Sequence, residues 1–279
     1  MVALPPRPEQ EIITRIYAAY ERERSEPDLY LGRLGASSVG DECGRKVWLD
    51  WRAFAREKFS GRMLRLFDTG HQQETRVVED LRRAGFSVWD KREDGKQFEF
   101  TDKTGHFITK VDGVVKGVPG SEDKAHTLEV KTHNKNSFSA LQKKGVAEAR
   151  PEHHAQMQVS MALNKTNRAL YVAVCKDDEQ YHVERVHADE KEQKRLLDRV
   201  IKLVDARLRP AGVSDNPETF ACKFCGMNAV CYGREQPLRN CRTCNMCTPG
   251  ADGKWVCELN KKTLNFDEQR RACEHWDPL

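Results

Sequence analysis

The 279-residue chain has little that would place it in a membrane or outside a cell. No apolar run approaches the roughly 20 residues needed to cross a bilayer. The opening Met1-Val2-Ala3-Leu4-Pro5-Pro6 lacks the basic and apolar regions of a secretory signal. The expectation is a cytoplasmic protein without a membrane partner. Net charge is also small, +4 from 47 basic and 43 acidic residues. With the two signs so interleaved, a polyanionic partner is permitted and not demanded. No internal repeat and no low-complexity segment interrupts the chain.

Cysteine, by contrast, is plentiful. Cys43 and Cys175 stand alone, and the other eight of the ten lie between Cys222 and Cys273. Thiols stay reduced in the cytosol, which argues against a disulfide scaffold. Clustered cysteines in that setting point to metal.

The length suffices for a full core plus an accessory module. Residues 10–24 read as an amphipathic helix with Ile12, Ile13, Ile16, Tyr17 and Tyr20 along one side. Ser37-Ser38 is the expected cap of a second helix carrying Cys43, Val47, Trp48 and Trp51. A long helix is expected over 62–83, stopped by Gly85. β-prone runs follow at 86–89, 97–101, 107–118 and 127–132. Helices are expected at 137–144 and 152–163, the latter opened by Pro151. Strands at 169–175 and 181–186 and a charged helix over 189–207 lead to the boundary at Pro210 and Gly212. The order predicts an α/β core with one mixed central sheet flanked by helices, then a cysteine-rich, metal-binding C-terminal module. The expected division is 1–210, 211–235 and 236–279.

Within the β-rich part, Asp112-Gly113 ends one run, and Glu129-Val130-Lys131 sits in the next. Side chains i and i+2 of a strand share a face, so Glu129 and Lys131 project together beside Asp112. Two carboxylates suit a hard divalent cation, and a lysine can orient an attacking water. This is a minimal kit for metal-assisted phosphodiester hydrolysis. On the preceding helix His71 and Glu74 are three apart and share a face.

The pattern of Asp112 followed by Glu-x-Lys resembles the PD-(D/E)xK nuclease superfamily, with Val111 in place of the proline. The segment Phe67-Asp68-Thr69-Gly70-His71-Gln72-Gln73-Glu74 resembles the first motif of RecB-type and phage YqaJ-like exonucleases. Pro151-Glu152-His153-His154-Ala155-Gln156-Met157-Gln158 is similar to their glutamine motif, with histidines where tyrosines are common. The resemblance implies a restriction-endonuclease-like core. It also implies that Asp112, Glu129 and the Val130 carbonyl ligate Mg²⁺ or Mn²⁺, with His71 as a further ligand and Glu74 binding directly or through water. Lys131 then aligns the water and steadies transition-state charge, and Gln156 steadies Lys131 or the scissile phosphate. Other histidines, among them His106, His126, His133, His153 and His154, are expected to be structural or on the surface.

Cys222-x2-Cys225-x5-Cys231 with the distant Cys43 resembles the iron–sulfur nucleases, including the AddB-type subunit and the CRISPR-associated RecB-like exonucleases. The resemblance implies a [4Fe–4S] cluster that closes a very long loop; zinc in the same four thiolates is the chemical rival. Further on, Cys241, Cys244, Cys257 and Cys273 have the spacing of a small zinc-ribbon-like knuckle, with Cys247 or His275 as substitutes for one ligand. The functional expectation is a metal-dependent exonuclease acting on DNA ends in phage or bacterial recombination or repair. An annealing protein or helicase is its implied partner. A structure-specific endonuclease and a non-catalytic DNA-binding scaffold remain the alternatives.

Overall fold

The computed structural model describes residues 8–24, 31–56 and 58–279, so the opening stretch 1–6 lies outside the described residues. Helix α1 (Pro8–Glu23) runs along α3 (Gly61–Arg83), close enough that a Cβ on Gly61 would lie 2.1 Å from the Tyr17 carbonyl oxygen. The half-buried Tyr17 and Tyr20 lie on the packed stretch of α1, while Ile12, Ile13 and Ile16 are exposed. After the short strand β1 (Leu34–Gly35), α2 (Gly44–Trp51) buries Val47, Trp48, Leu49 and Trp51. Its cap is not the expected serine pair, which lies in a separate turn at Ala36–Ser38. Cys43 takes that role, its sulfur accepting from Lys46 N at 3.4 Å. Helix α3 is capped by Ser60 and stops before Gly85, whose φ of +92° only glycine adopts readily.

Strands β2 (Ser87–Trp89), β3 (Phe98–Thr101), β4 (Phe107–Val111), β5 (Gly113–Lys116) and β6 (His126–His133) follow. Then come α4 (Lys135–Ala149), broken at Gly145, α5 (Pro151–Asn164), β7 (Arg168–Cys175), β8 (Tyr181–His187) and α6 (Glu190–Asp205). One central sheet was expected from the order of elements; strands β1 to β8 form two. The main sheet has the order β2-β5-β6-β7-β8 and is mixed, because β6 and β7 are parallel while the other pairs are antiparallel. Strand β4 instead joins a three-stranded sheet of order β1-β4-β3. The chain changes sheets at Asp112, whose carboxylate accepts the Val130 N–H at 2.8 Å and so ties the crossing point to β6.

The main sheet is covered on both sides. Leu128, Val130, Leu170, Val172 and Val174 meet Val77 and Val78 of α3. Ala169, Tyr171, Ala173 and Cys175 meet Phe138, Leu141, Met157 and Met161 of α4 and α5.

The C-terminal part adds α7 (Phe220–Lys223), α8 (Asn228–Cys231), β9 (Cys247–Pro249), β10 (Trp255–Cys257), β11 (Lys262–Leu264) and α9 (Phe266–Arg271). Strands β9, β10 and β11 form an antiparallel ribbon. This part has no core of its own. Cys244, Cys247, Trp255 and Leu264 are buried in one cluster with Trp48, Phe107 and Leu196. Two buried arginines complete the join. Arg52 lies between the Trp48 and Trp255 rings and donates to the Arg242 carbonyl at 2.8 Å. Arg242 donates to the carbonyls of Leu31 at 2.8 Å and Gly32 at 2.6 Å. The composition therefore changes near residue 210 while the core runs on. Among the described residues no helix is long and apolar enough to cross a membrane.

Candidate active site

Alternation along β6 places Glu129, Lys131 and His133 on the α5 side and Leu128 and Val130 on the α3 side. Glu129 is 1% exposed. Lys131 Nζ forms an ion pair with its Oε1, while Glu129 Oε2 has no hydrogen-bond partner. Asp112, next to this pair, accepts from Val130 N through Oδ2 and from Gln97 Nε2, 3.4 Å away, through Oδ1. The Val130 N–H thus points at Asp112, and the carbonyl of a strand residue leaves on the same side as its N–H. Pairing of β5 with β6 ends at Leu128, so the Val130 carbonyl lies beyond that ladder.

From α3, Glu74 is half-buried and acts electrostatically on the same cluster. Burial, then the Asp112 charge, pushes its carboxyl up, with His71 and Lys131 opposing. Burial likewise raises Asp112, against Lys131, the Val130 N–H and His71. Burial pushes Glu129 up to about 7 despite Lys131. Lys131 loses hydration on burial, yet Glu129 and Asp112 hold it above the ordinary lysine range. Contacts bring together Asp112, Glu129 and Lys131, while Glu74 and the exposed His71 on α3 act on them through their charges. Three carboxyl groups face one permanent cation, and one buried oxygen is unpartnered; such a donor set suits a hard divalent ion. Among the described residues no group of three or more His, Cys, Asp or Glu side chains already stands in metal-site geometry. Lys131 sits on Glu129 instead. Gln156 is buried on α5, one turn from His153 and on the same face.

Beside this site lie His133 and His153, expected to be structural or on the surface, and Tyr171, which the sequence did not single out. His133 Nε2 and His153 Nδ1 both contact the Tyr171 hydroxyl at 2.9 Å, and His133 Nδ1 meets Ser137 Oγ at 2.6 Å. His133 had a usable signal, since it follows Glu129 and Lys131 at the same alternation. Tyr171 had none, because only the parallel register of β7 sets it beside Glu129. His106 and His126 are buried, as structural histidines would be.

All ten thiols are free. Cys43, Cys222, Cys225 and Cys231 line one cavity of about 520 Å³ between the start of α2 and helices α7 and α8. Cationic and hydroxyl donors face these sulfurs. Tyr232 Oη donates to Cys222 Sγ at 3.2 Å, and an Arg45 guanidinium N–H to Cys231 Sγ at 3.8 Å. Hydrogen bonds from Thr219 and Tyr232 draw the Cys222 thiol down, while burial raises Cys225. In the tail, Cys241, Cys244, Cys247, Cys257 and Cys273 surround a space of only about 20 Å³, with His275 at its edge. Burial and the neighbouring sulfurs push Cys241 up to about 11.

No protein-family model and no curated protein matches the chain. Solved structures with a similar course include LHK-Exo in complex with dAMP, 18% identical with a TM-score of 0.45, over 68% of this chain and 90% of that one. SSO0001 is 14% identical with a TM-score of 0.45, over 79% and 96%. An alkaline exonuclease (LHK-Exo) from Laribacter hongkongensis is 17% identical with a TM-score of 0.39, over 67% and 92%. Likenesses this distant carry neither activity nor mechanism to this chain, whose own residues decide the reading.

Proposed function

We propose that the protein is a divalent-metal-dependent DNA exonuclease. The observation that carries this reading is the junction of Asp112 with Glu129-Val130-Lys131, where a buried carboxylate oxygen is left without a hydrogen-bond partner. Asp112, Glu129, the Val130 carbonyl, His71 and Glu74 are the groups to hold Mg²⁺ or Mn²⁺. Bound there, the ion supplies a water of lowered pKa and neutralises charge on the phosphate. Lys131, kept charged by its acidic neighbours, orients the attacking water and stabilises the negative charge that builds up on phosphorus-bound oxygens. Gln156 lies on the helix that covers this face and holds Lys131 or the phosphate in place. The preference for ends over internal bonds rests on the resemblance of segments 67–74 and 151–158 to end-dependent exonucleases.

The two thiol groups differ in room. The cavity lined by Cys43, Cys222, Cys225 and Cys231 is the place we assign to a [4Fe–4S] cluster, on the resemblance of their spacing to the iron–sulfur nucleases; these four thiols do not stand in metal-site geometry as they are. The closed space on Cys241, Cys244, Cys257 and Cys273 suits at most a single ion such as Zn²⁺. Iron, sulfide and zinc analysis of anaerobically purified protein tests both. Cys225→Ser is expected to bleach the visible absorbance and lower the melting temperature; a coloured, equally stable variant removes the cluster from the proposal. A cytoplasmic role in recombination or repair, beside an annealing protein or helicase, follows from the resemblance.

The deciding experiment uses end-labelled linear single- and double-stranded DNA with covalently closed circles alongside, in Mg²⁺ or Mn²⁺. Loss of linear DNA only, abolished by Lys131→Ala, is the expected result. Cleavage of circles makes the protein an endonuclease, and binding without cleavage makes it a scaffold.

A further inference from the structure

Beside the site a second concavity of about 580 Å³ opens where the β1-β4-β3 sheet meets the C-terminal ribbon. Its near end is the active-site sheet itself. Lys110 lines it, two residues along β4 from Asp112, or about 7 Å at strand spacing. Gln97, which donates to Asp112, lies two residues before Glu99. Glu99 in turn pairs with Arg33 at 2.9 Å and with Lys110 at 4.0 Å. A polar row therefore leads from the catalytic carboxylate into the groove. Its far wall is the ribbon and α9, with Lys254, Phe266 and Arg270.

Charge and rigidity suit a polyanion. Arg33, Lys110, Lys254 and Arg270 stand along the lining with two acids, Glu99 and Asp252, and Arg270 also pairs with Asp267 at 3.6 Å. Lys254 has no acidic partner among the described residues, and the Phe266 ring is 59% exposed. The two walls are fixed to each other. The Gly253 N–H donates to the Thr104 carbonyl at 2.9 Å, and His106 Nε2 meets the Gly250 carbonyl at 2.9 Å. The backbones approach so closely that a Cβ on Gly105 would lie 2.3 Å from Gly253 N. A groove whose walls cannot drift apart needs little ordering when a chain enters it.

We propose that this groove holds an unpaired stretch of the DNA strand whose end occupies the active site, a reading that rests on the nuclease assignment. Lys110, Lys254 and Arg270 track the phosphates, and Phe266 offers a face on which a base stacks. The C-terminal ribbon is then part of the substrate path as well as a cap on the core.

The test reads binding without cleavage, by anisotropy of a fluorescein-labelled oligothymidylate of about 20 nucleotides. It uses full-length Lys131→Ala protein at a series of salt concentrations. Combined Lys254→Glu and Arg270→Glu is expected to weaken binding at least about tenfold and to flatten the salt dependence, as fewer counterions are released. Phe266→Ala is expected to weaken binding about tenfold with the salt dependence unchanged. If the double charge reversal lowers the melting temperature, the exposed Phe266 variant carries the test alone. Unchanged affinity in these variants overturns the proposal. So does an equal loss on blunt duplex, or competition by polyglutamate as effective as by unlabelled oligothymidylate. Failure of the nuclease reading looks different: binding through the groove without any cleavage by the unsubstituted protein sinks that reading and leaves the groove. Cleavage that ignores these substitutions does the reverse.

Discussion

On the α3 side of β6, Leu128 and Val130 are buried in one apolar cluster with Val77 and Val78. On the α5 side, alternate residues of the same strand carry Glu129, Lys131 and His133, with Tyr171 alongside on β7. Burial of each aliphatic side chain on the first face stabilises the fold by about 1.5–3 kcal/mol. Burial of Glu129 on the second costs free energy, because one oxygen has no hydrogen-bond partner and its charge is only partly met by Lys131. A single strand thus fixes the sheet with one set of residues and holds a high-energy polar group with the other. Substitutions on the two faces should therefore separate activity from stability.

The largest effect is expected from Lys131→Ala. Loss of the cation that pairs with Glu129 should lower cleavage on the order of 10³-fold, measured as single-turnover release of label. Retained activity would refute the assignment of the site. On the opposite face Leu128→Ala should cost about 2–5 kcal/mol of stability, read by urea unfolding. Cleavage per folded molecule should stay near the parent value at low temperature. If that variant also loses cleavage at full folding, the two faces are not separable.

How much of this was legible beforehand depended on the range of the contacts. That Glu129 and Lys131 share a strand face was legible because alternation is local, and α3 because its period and its stop at Gly85 are local as well. The break at Asp112-Gly113 was legible, but not that the strands before and after it belong to different sheets: the carboxylate-to-Val130 bond that marks the change spans 18 residues. The merging of the tail with the core was hidden for the same reason, since Arg242 reaches carbonyls some 210 residues away. Cys43 illustrates a third case. Serines are the usual helix caps, and nothing in the local pattern shows that a thiol takes the place of the nearby pair.

Acid sharpens the comparison on the polar face. His133 is pushed down to about 4 by burial, then by Arg150 and Lys131. His153 is pushed down to about 3 by burial, then by Lys131, His133 and Arg150. Unfolded histidine titrates near 6.5. The unfolded chain therefore takes up protons that the folded chain refuses as pH falls from about 6.5 toward 4. The stability these residues support is complete above that window. It is lost through it at about 1.4 kcal/mol per pH unit for each histidine. Glu129, raised to about 7, acts in the opposite sense from pH 7 down to its unfolded value near 4.5. Net slopes are therefore smaller than the histidines alone give, and the informative quantity is a difference. Melting temperatures from pH 7 to 4.5 should fall less steeply for His153→Phe than for the parent; parallel curves remove His153 from the account.

The smallest effect is expected from Tyr171→Phe. Its hydroxyl hydrogen serves one imidazole nitrogen only, so the second of His133 and His153 must supply its own N–H to the oxygen. The tyrosine thereby fixes complementary tautomers in two rings that stay neutral at physiological pH. Removing the hydroxyl leaves two ring nitrogens short of a partner at the cost of about 1–2 kcal/mol, while shape and apolar contacts persist. Stability by urea unfolding should drop by that amount and cleavage should change only a few-fold, because neither histidine belongs to the acidic cluster. A loss of cleavage comparable to that of Lys131→Ala would show instead that the whole polar face, from Glu129 to His153, works as one unit.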